Sequence, residues 1–280
     1  MLVLVFVGAL LGCSTAGGPD LSRMSFSDEP LVGKFVWYDL ITDDAEGARR
    51  FYGGLFGWSF ENATGPRGNS YLLALDDGVY VAGIVSRADP ADGAETSRWL
   101  PYVSVEDVDE SARRAGSEGG RVVVPPLDVS LGRVAAIVDP EGAALGLARS
   151  KIGDPDDVTT ASAPGRVVWT ELLADDDAKA SAFYESVVGY TSEIIERRGG
   201  TYTLLRSGGV DRGGILRNPT DWDPQWLTYF GVDDPAEAAE RAATLGGRVL
   251  LEPTPEVREG TIALVADPSG AVFALQKVTS

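Results

Sequence analysis

Two carboxylates, Asp39 and Glu171, each sit inside a short, β-rich and otherwise apolar run: Phe35-Val-Trp-Tyr-Asp-Leu-Ile-Thr42 and Val167-Val-Trp-Thr-Glu-Leu-Leu-Ala174. A carboxylate buried without a partner is costly. Burial also raises its pKa towards neutrality, which suits proton abstraction, so both are candidate general bases. Residues of one parity on a strand share a face, so Trp37 accompanies Asp39 and Trp169 accompanies Glu171. Arg133 or Arg248 is available to pair with either carboxylate structurally. Other chemistries drop out. The 280 residues contain no histidine, the usual acid/base near neutral pH and the commonest ligand of a catalytic metal. Ser-His-Asp and Cys-His arrangements are therefore excluded. Ser207-Gly-Gly-Val-Asp-Arg-Gly-Gly is glycine-rich but lacks the Lys-Ser/Thr of a phosphate loop, and reads as a hairpin.

The elements around these residues occur twice. Trp37 pairs with Trp169, Asp43 with Asp175, Phe51 with Phe183 and Gly57 with Gly189. Further on, Trp99-Leu-Pro-Tyr102 pairs with Trp226-Leu-Thr-Tyr229, and Asp139-Pro-Glu-Gly142 with Asp267-Pro-Ser-Gly270. In each copy a strand is followed by Asp at a helix N-cap position. Ala48, Phe51, Tyr52 and Leu55 then make one helical stripe, as do Ala180, Phe183, Tyr184 and Val187. Three short strands follow, and the strand-helix-strand-strand-strand order restarts at Trp99 and Trp226. The chain thus predicts βαβββ four times, an α+β fold. Trp222 and Trp226 fit a cavity rim, a partner patch or core packing against the helix.

The bulk composition is that of a folded, acidic chain. Net charge is −18, with carboxylates dispersed, which argues against nucleic acid and against a direct contact with anionic lipid. The one cysteine, Cys13, excludes an intrachain disulfide. It follows Leu2 to Leu11, an apolar run too short to span a bilayer and matching the core of a signal peptide. Leu10-Leu11-Gly12-Cys13 resembles a bacterial lipobox, whose cysteine is lipidated; no Lys or Arg precedes the run. The alternative is a buried N-terminal strand. Asn62-Ala-Thr64 fits a glycosylation sequon, a pattern common by chance.

Asp…Phe-Tyr…Gly-Trp early, with Val-x-Asp-Val-Asp and Asp-Pro-x-Gly later, resembles the vicinal oxygen chelate superfamily of glyoxalase I, bleomycin-resistance proteins and extradiol dioxygenases. The resemblance runs from Phe35 to Val278. It implies two tandem domains, each of two βαβββ modules curling a mixed sheet into a cup. The boundaries become 1–12 signal peptide, 13–32 tether, 33–150 first domain, 151–164 linker and 165–280 second domain. In metal-dependent members the ligand positions correspond to Trp37, Leu100 and Gly146 here, and to Trp169, Leu227 and Ala274 in the second copy. Some members add a ligand from the strand around Tyr80–Ile84 or Asp211–Leu216; the first stretch has no Asp, Glu, His or Cys and the second has only Asp211, at its edge. A metal site needs three or four converging N, O or S donors. The expectation is that neither cup binds a functional metal and that no cofactor is used.

By strand parity Leu100 brings Tyr102 and Leu227 brings Tyr229. The candidate ligand-binding residues are therefore Trp37, Asp39, Leu100, Tyr102, Trp169, Glu171, Leu227 and Tyr229. An aromatic wall, a phenol and one carboxylate suit a flat or apolar small molecule with a hydrogen-donor or cationic group. Equally, Trp37 and Trp169 can simply fill the vacated sites as core. Three functions follow: an exported, envelope-tethered lipoprotein that binds a small molecule without metal chemistry; a cofactor-independent lyase or isomerase with Asp39 or Glu171 as base; or a non-catalytic envelope interaction module. The first leans away from catalysis, with a membrane contact only through Cys13, as monomer or homodimer.

Overall fold

The computed structural model describes residues 20–65, 70–86, 97–157, 163–197, 200–219 and 222–278. Cys13, the apolar run before it and part of the linker lie outside the described residues. In the first half, β1 (Phe35–Thr42) leads into α1 (Ala45–Phe56), then β2 (Ser59–Thr64), β3 (Ser70–Asp76) and β4 (Val79–Ser86). The succession repeats as β5 (Arg98–Ser104), α2 (Val108–Ser117), β6 (Arg121–Val129), β7 (Gly132–Val138) and β8 (Ala144–Ser150). The second half follows with β9 (Val167–Ala174), α3 (Asp177–Val188), β10 (Thr191–Arg197), β11 (Gly200–Ser207) and β12 (Val210–Arg217). It closes with β13 (Gln225–Val232), α4 (Pro235–Thr244), β14 (Arg248–Leu251), β15 (Ile262–Ala266) and β16 (Val272–Lys277).

Each half makes one eight-stranded sheet, ordered β2-β3-β4-β1-β5-β8-β7-β6 and β10-β11-β12-β9-β13-β16-β15-β14. The two modules of a half meet where β1 runs antiparallel to β5, and β9 to β13. Each central strand also has a parallel neighbour from its own module: β4 beside β1, β8 beside β5, β12 beside β9 and β16 beside β13. This is two tandem α+β domains of the expected module order.

Local chemistry explains the boundaries. Asp44 caps α1 by accepting from the Gly47 N–H at 2.7 Å, and Gly57 ends the helix in the left-handed region at φ 77°. Asp107, Asp176 and Asp234 cap the other three helices in the same way. Pro235 opens α4, where its missing N–H is not needed. The predicted stripe Ala48, Phe51, Tyr52 and Leu55 is the buried face of α1.

One sheet face from each half faces the helices, and the two halves share that core. From α1, Phe51, Tyr52 and Phe56 reach across to Phe273, and Phe56 also meets Phe230. The repeated motifs explain the joint. The Tyr52 hydroxyl donates to Asp267 Oδ2 at 3.1 Å and accepts from Trp99 Nε1 at 3.1 Å. Its counterpart Tyr184 donates to Asp139 Oδ2 at 2.9 Å and accepts from Trp226 Nε1 at 3.0 Å. The tyrosine of each Phe-Tyr pair therefore clasps the Asp-Pro-x-Gly turn of the other half. In that turn Asp139 Oδ1 accepts from the N–H groups of Glu141, Gly142 and Ala143. Burial raises the pKa of Asp139 and of Asp267 against these hydrogen bonds. Trp226 is thus core, not rim.

Residues 20–32, read from the sequence as part of a flexible tether, lie against the first half. Phe26 pairs with Pro155, the Ser27 N–H donates to Asp154 O at 2.8 Å, and Arg23 Nη1 donates to Asp77 O at 2.7 Å. Leu21 and Met24 pack on the first cup. The start of the predicted linker, residues 151–157, forms the other side of this contact. Among the described residues no helix is long and apolar enough to cross a membrane.

Candidate functional site

The faces of the sheets opposite the helices form the two cups, and strand alternation delivers the predicted residues to them. On β1, Trp37, Asp39 and Ile41 face the first cup while Tyr38 and Leu40 join the shared core. Trp37 lies across from Tyr102 and Asp39 across from Leu100. All four are buried, Asp39 completely. The structure therefore brings Trp37, Asp39, Leu100 and Tyr102 together.

Asp39 is the polar centre of this cup. Its Oδ1 accepts from Trp37 Nε1 at 2.8 Å and from the Tyr71 hydroxyl at 2.7 Å. Oδ2 is buried without a partner of good geometry. Burial pushes its carboxyl up to about 7, against the opposing effect of donation from Tyr71, Trp37 and Tyr102. Among the described residues no cation is paired with it: Arg133, a predicted partner, instead bridges Asp109 and Asp128 at the surface. The room for these rings comes from glycine. A Cβ at Gly83 would lie 1.9 Å from the Tyr71 hydroxyl and 2.4 Å from Asp39 Oδ1, and one at Gly146 would lie 2.2 Å from the Tyr102 ring. The space beside Gly146, one of the expected ligand positions, and beside Gly83, on the strand read as supplying a further ligand, is thus filled by the side chains of neighbours. With Leu73, Val124, Val134 and Ala136 around them, the cup is packed. A cavity of about 50 Å³ remains at its mouth, under Leu21, Met24 and Phe26.

The second cup has the same plan and a different filling. Glu171 is fully buried opposite Leu227, and Trp169 lies opposite Tyr229. The Tyr229 hydroxyl donates to Glu171 Oε1 at 2.8 Å, and Trp169 Nε1 donates to the Tyr202 hydroxyl at 2.9 Å. Glu171 is ion-paired, but to Arg258, through Nη2 and Oε2, rather than to the predicted Arg248. Burial works against the charge on Arg258, yet Glu171, Tyr229 and Tyr202 raise its pKa overall. Its guanidinium lies 5.2 Å from the Tyr229 ring centre. Arg258 and Glu259 adopt φ of 45° and 57°, the left-handed region that costs non-glycine residues about 1 kcal/mol or more each. The buried apolar residues here form a smaller cluster, Leu227, Tyr229, Ile262 and Ala274, with Trp169 half-buried beside them, although Leu173, Tyr202 and Leu204, the equivalents of Ile41, Tyr71 and Leu73, are buried too. Gln276 falls on this face by alternation from Ala274, and its buried Oε1 has no partner.

Four site residues escaped the sequence reading. Tyr71 and Tyr202 occupy equivalent places on β3 and β11, a correspondence that comparing the two repeats could have found. Arg258 sits in a loop of the second copy with no counterpart in the first. Gln276 had no local signal beyond strand parity.

The donor set does not fit the metal of metal-dependent relatives. Trp37, Leu100 and Gly146, like Trp169, Leu227 and Ala274, offer no oxygen, sulfur or imidazole ligand. Asp211, the one donor on the fourth stretch, pairs with Arg206 at the surface. Among the described residues no three His, Cys, Asp or Glu side chains are placed to hold an ion.

Comparison with known proteins agrees with this architecture. A sequence profile of the Glyoxalase/Bleomycin resistance protein/Dioxygenase superfamily matches residues 34–147 and again 166–275. A protein described as putative glyoxylase CFP32, from Mycobacterium bovis, is 37% identical over 247 residues, covering 86% of this chain and 93% of its own length. The anthracycline biosynthesis protein DauV from Streptomyces sp. (strain C5) is 31% identical over 257 residues, covering 87% and 92%. In fold, the chain is similar to a Mn(II)-bound glyoxalase from Novosphingobium aromaticivorans, with TM-score 0.58 and 16% identity over 88% of this chain and 82% of that one. It is similarly close to the 2,3-dioxygenase LapB from Pseudomonas sp. KL28, with TM-score 0.57 and 15% identity over 89% and 93%. The chain belongs to the glyoxalase/bleomycin resistance protein/dioxygenase superfamily.

Proposed function

We propose that this chain is a small-molecule binding protein that holds a planar, partly aromatic compound in its second cup without metal-assisted chemistry. The observation that carries the reading is the contrast between the cups. The first is packed with its own side chains, whereas the second keeps a half-buried indole at Trp169, an orphaned acceptor at Gln276 and a polar pair at Glu171 and Arg258. Aromatic walls with a few placed polar groups are how proteins hold flat ligands. The likeness to an anthracycline biosynthesis protein supports a polycyclic ligand class. A neutral planar probe, 9,10-anthraquinone-2-methanol, tests this by calorimetry. It should bind with one-to-one stoichiometry, at least tenfold more weakly to W169A, and unchanged by EDTA. Equal binding to W169A, or binding only with added metal, contradicts it.

A second reading, a cofactor-independent lyase or isomerase, is favoured by one fact: the Asp39 carboxyl is pushed up to about 7, near the value a general base needs. Its complete burial weighs against it. Recovery of bound compound unchanged supports binding, whereas turnover abolished in D39N or E171Q supports catalysis.

Export is part of the proposal. Leu2–Leu11 and Leu10-Leu11-Gly12-Cys13 support lipidation at Cys13, placing the protein on the envelope. Partition of the full chain into a detergent phase, lost in C13A, checks it.

A further inference from the structure

The two halves leave a cleft of about 310 Å³ lined by the first residues of β1 and β9, within the range of small-molecule sites. Its walls are aromatic: Phe35, Trp37 and Tyr38 from one strand and Trp169 from the other. Tyr38 and Thr170 hydrogen-bond across it at 2.8 Å, which fixes the spacing of the two strands. Its charged lining is the reverse of the molecule as a whole. In a chain of net charge −18, four cations among the described residues, Arg23, Lys34, Arg166 and Arg212, line the cleft against one described carboxylate, Asp211.

The partners of these cations matter. Arg166 is matched by Asp76 at 2.8 Å, and Asp211 is matched by Arg206. Arg23 donates to a backbone carbonyl. Lys34 and Arg212 share Asp157, at 3.0 and 2.6 Å, and their side chains are only 10% and 8% exposed. Arg212 Nε is buried with no partner at all. Two buried cations on one carboxylate leave positive charge uncompensated in a poorly solvated place, and a donor unused. A ligand carboxylate would answer both, while its ring system would lie between indole and phenol faces.

We propose that this cleft is a second binding site for a planar aromatic carboxylate, one that shares Trp37 and Trp169 with the cups but holds its anion outside them. The anion sits at Lys34 and Arg212, and the ring packs against Trp37 and Trp169. Two faces of the cleft belong to different halves, so the site exists only in the assembled chain.

Calorimetry of the full chain with 2-naphthoate and its uncharged analogue 2-naphthylmethanol tests this. The carboxylate should bind at least tenfold more tightly than the alcohol. R212M and K34M should each lose tenfold or more in affinity for the carboxylate. Each variant leaves one cation on Asp157, so folding is retained, and thermal melting followed by circular dichroism checks that it is. Equal affinity for acid and alcohol overturns the proposal, as does wild-type affinity in both variants. Affinity lost in Q276L but kept in R212M would put the anion in the second cup and likewise overturns it. The neutral anthraquinone probe should bind R212M and K34M as it binds the parent, and 2-naphthoate should bind Q276L as it binds the parent, so failure of either site is distinguishable from failure of the other.

Discussion

Asp39 and Glu171 are equivalent residues with opposite electrostatic solutions, and this makes their substitutions behave oppositely. Asp39 is buried with phenol and indole donors but no cation, and its carboxyl is pushed from 3.8 to about 7. Below pH 4 it is protonated both folded and unfolded, and contributes nothing to pH dependence. Between about pH 4 and 7 unfolding releases its proton, so stability falls as pH rises; above 7 the penalty is complete, at most roughly 4 kcal/mol. Asparagine keeps an acceptor for Trp37 and Tyr71 and cannot ionise. D39N should therefore melt several degrees above the parent at pH 8, with the gap closing near pH 4; a gap independent of pH contradicts the assignment. Glu171 has its cation. E171Q keeps an acceptor for Tyr229 but strands Arg258, and should destabilise by about 3 kcal/mol in urea titration at pH 7. A neutral outcome would mean that Arg258 is solvated and not held in the cup.

At the level of elements, the N-terminal segment and the loop bearing Arg258 are where the two cups differ. Leu21, Met24 and Phe26 roof the first cup, and the second cup's counterpart is the short left-handed turn at Arg258–Gly260. Deleting residues 1–29 should expose the first cup, seen as new binding of an apolar fluorophore and faster exchange of the Trp37 indole proton. No change in either would mean that the cup is closed by its own packing alone. The order of elements along the chain, the helix caps and the strand parity were legible because each rests on local spacing: Asp44 before a periodic stripe, or Trp37 two residues before Asp39. The roofing segment was not. Residues 20–32 carry no strong period, and their partners lie more than a hundred residues away at Asp154 and Pro155. The pairing of Glu171 with Arg258, rather than Arg133 or Arg248, was illegible for the same reason: a loop cation reaches its partner only through tertiary closure.

Across the whole molecule, the motifs that mark the repeat are clasps between the halves. Tyr52 with Asp267 and Tyr184 with Asp139 tie each half to the other through a common aromatic core. The two domains should therefore melt as one unit, with a single calorimetric peak whose van't Hoff and calorimetric enthalpies agree. Y52F leaves Asp267 and the Trp99 N–H short of partners. It should lower stability by about 1–3 kcal/mol without splitting the transition; two separated transitions in the parent would contradict a shared core. Sharing a core also leaves the cups free to diverge, the first packed with its own side chains and the second, on the proposed reading, open to a ligand. The most direct measurement of that claim is native mass spectrometry of the full chain equilibrated with zinc, nickel, manganese and iron(II) salts together with the neutral anthraquinone probe. One probe molecule per chain, lost in W169A, and no stoichiometric metal is the predicted spectrum. A metal ion retained one per cup contradicts it.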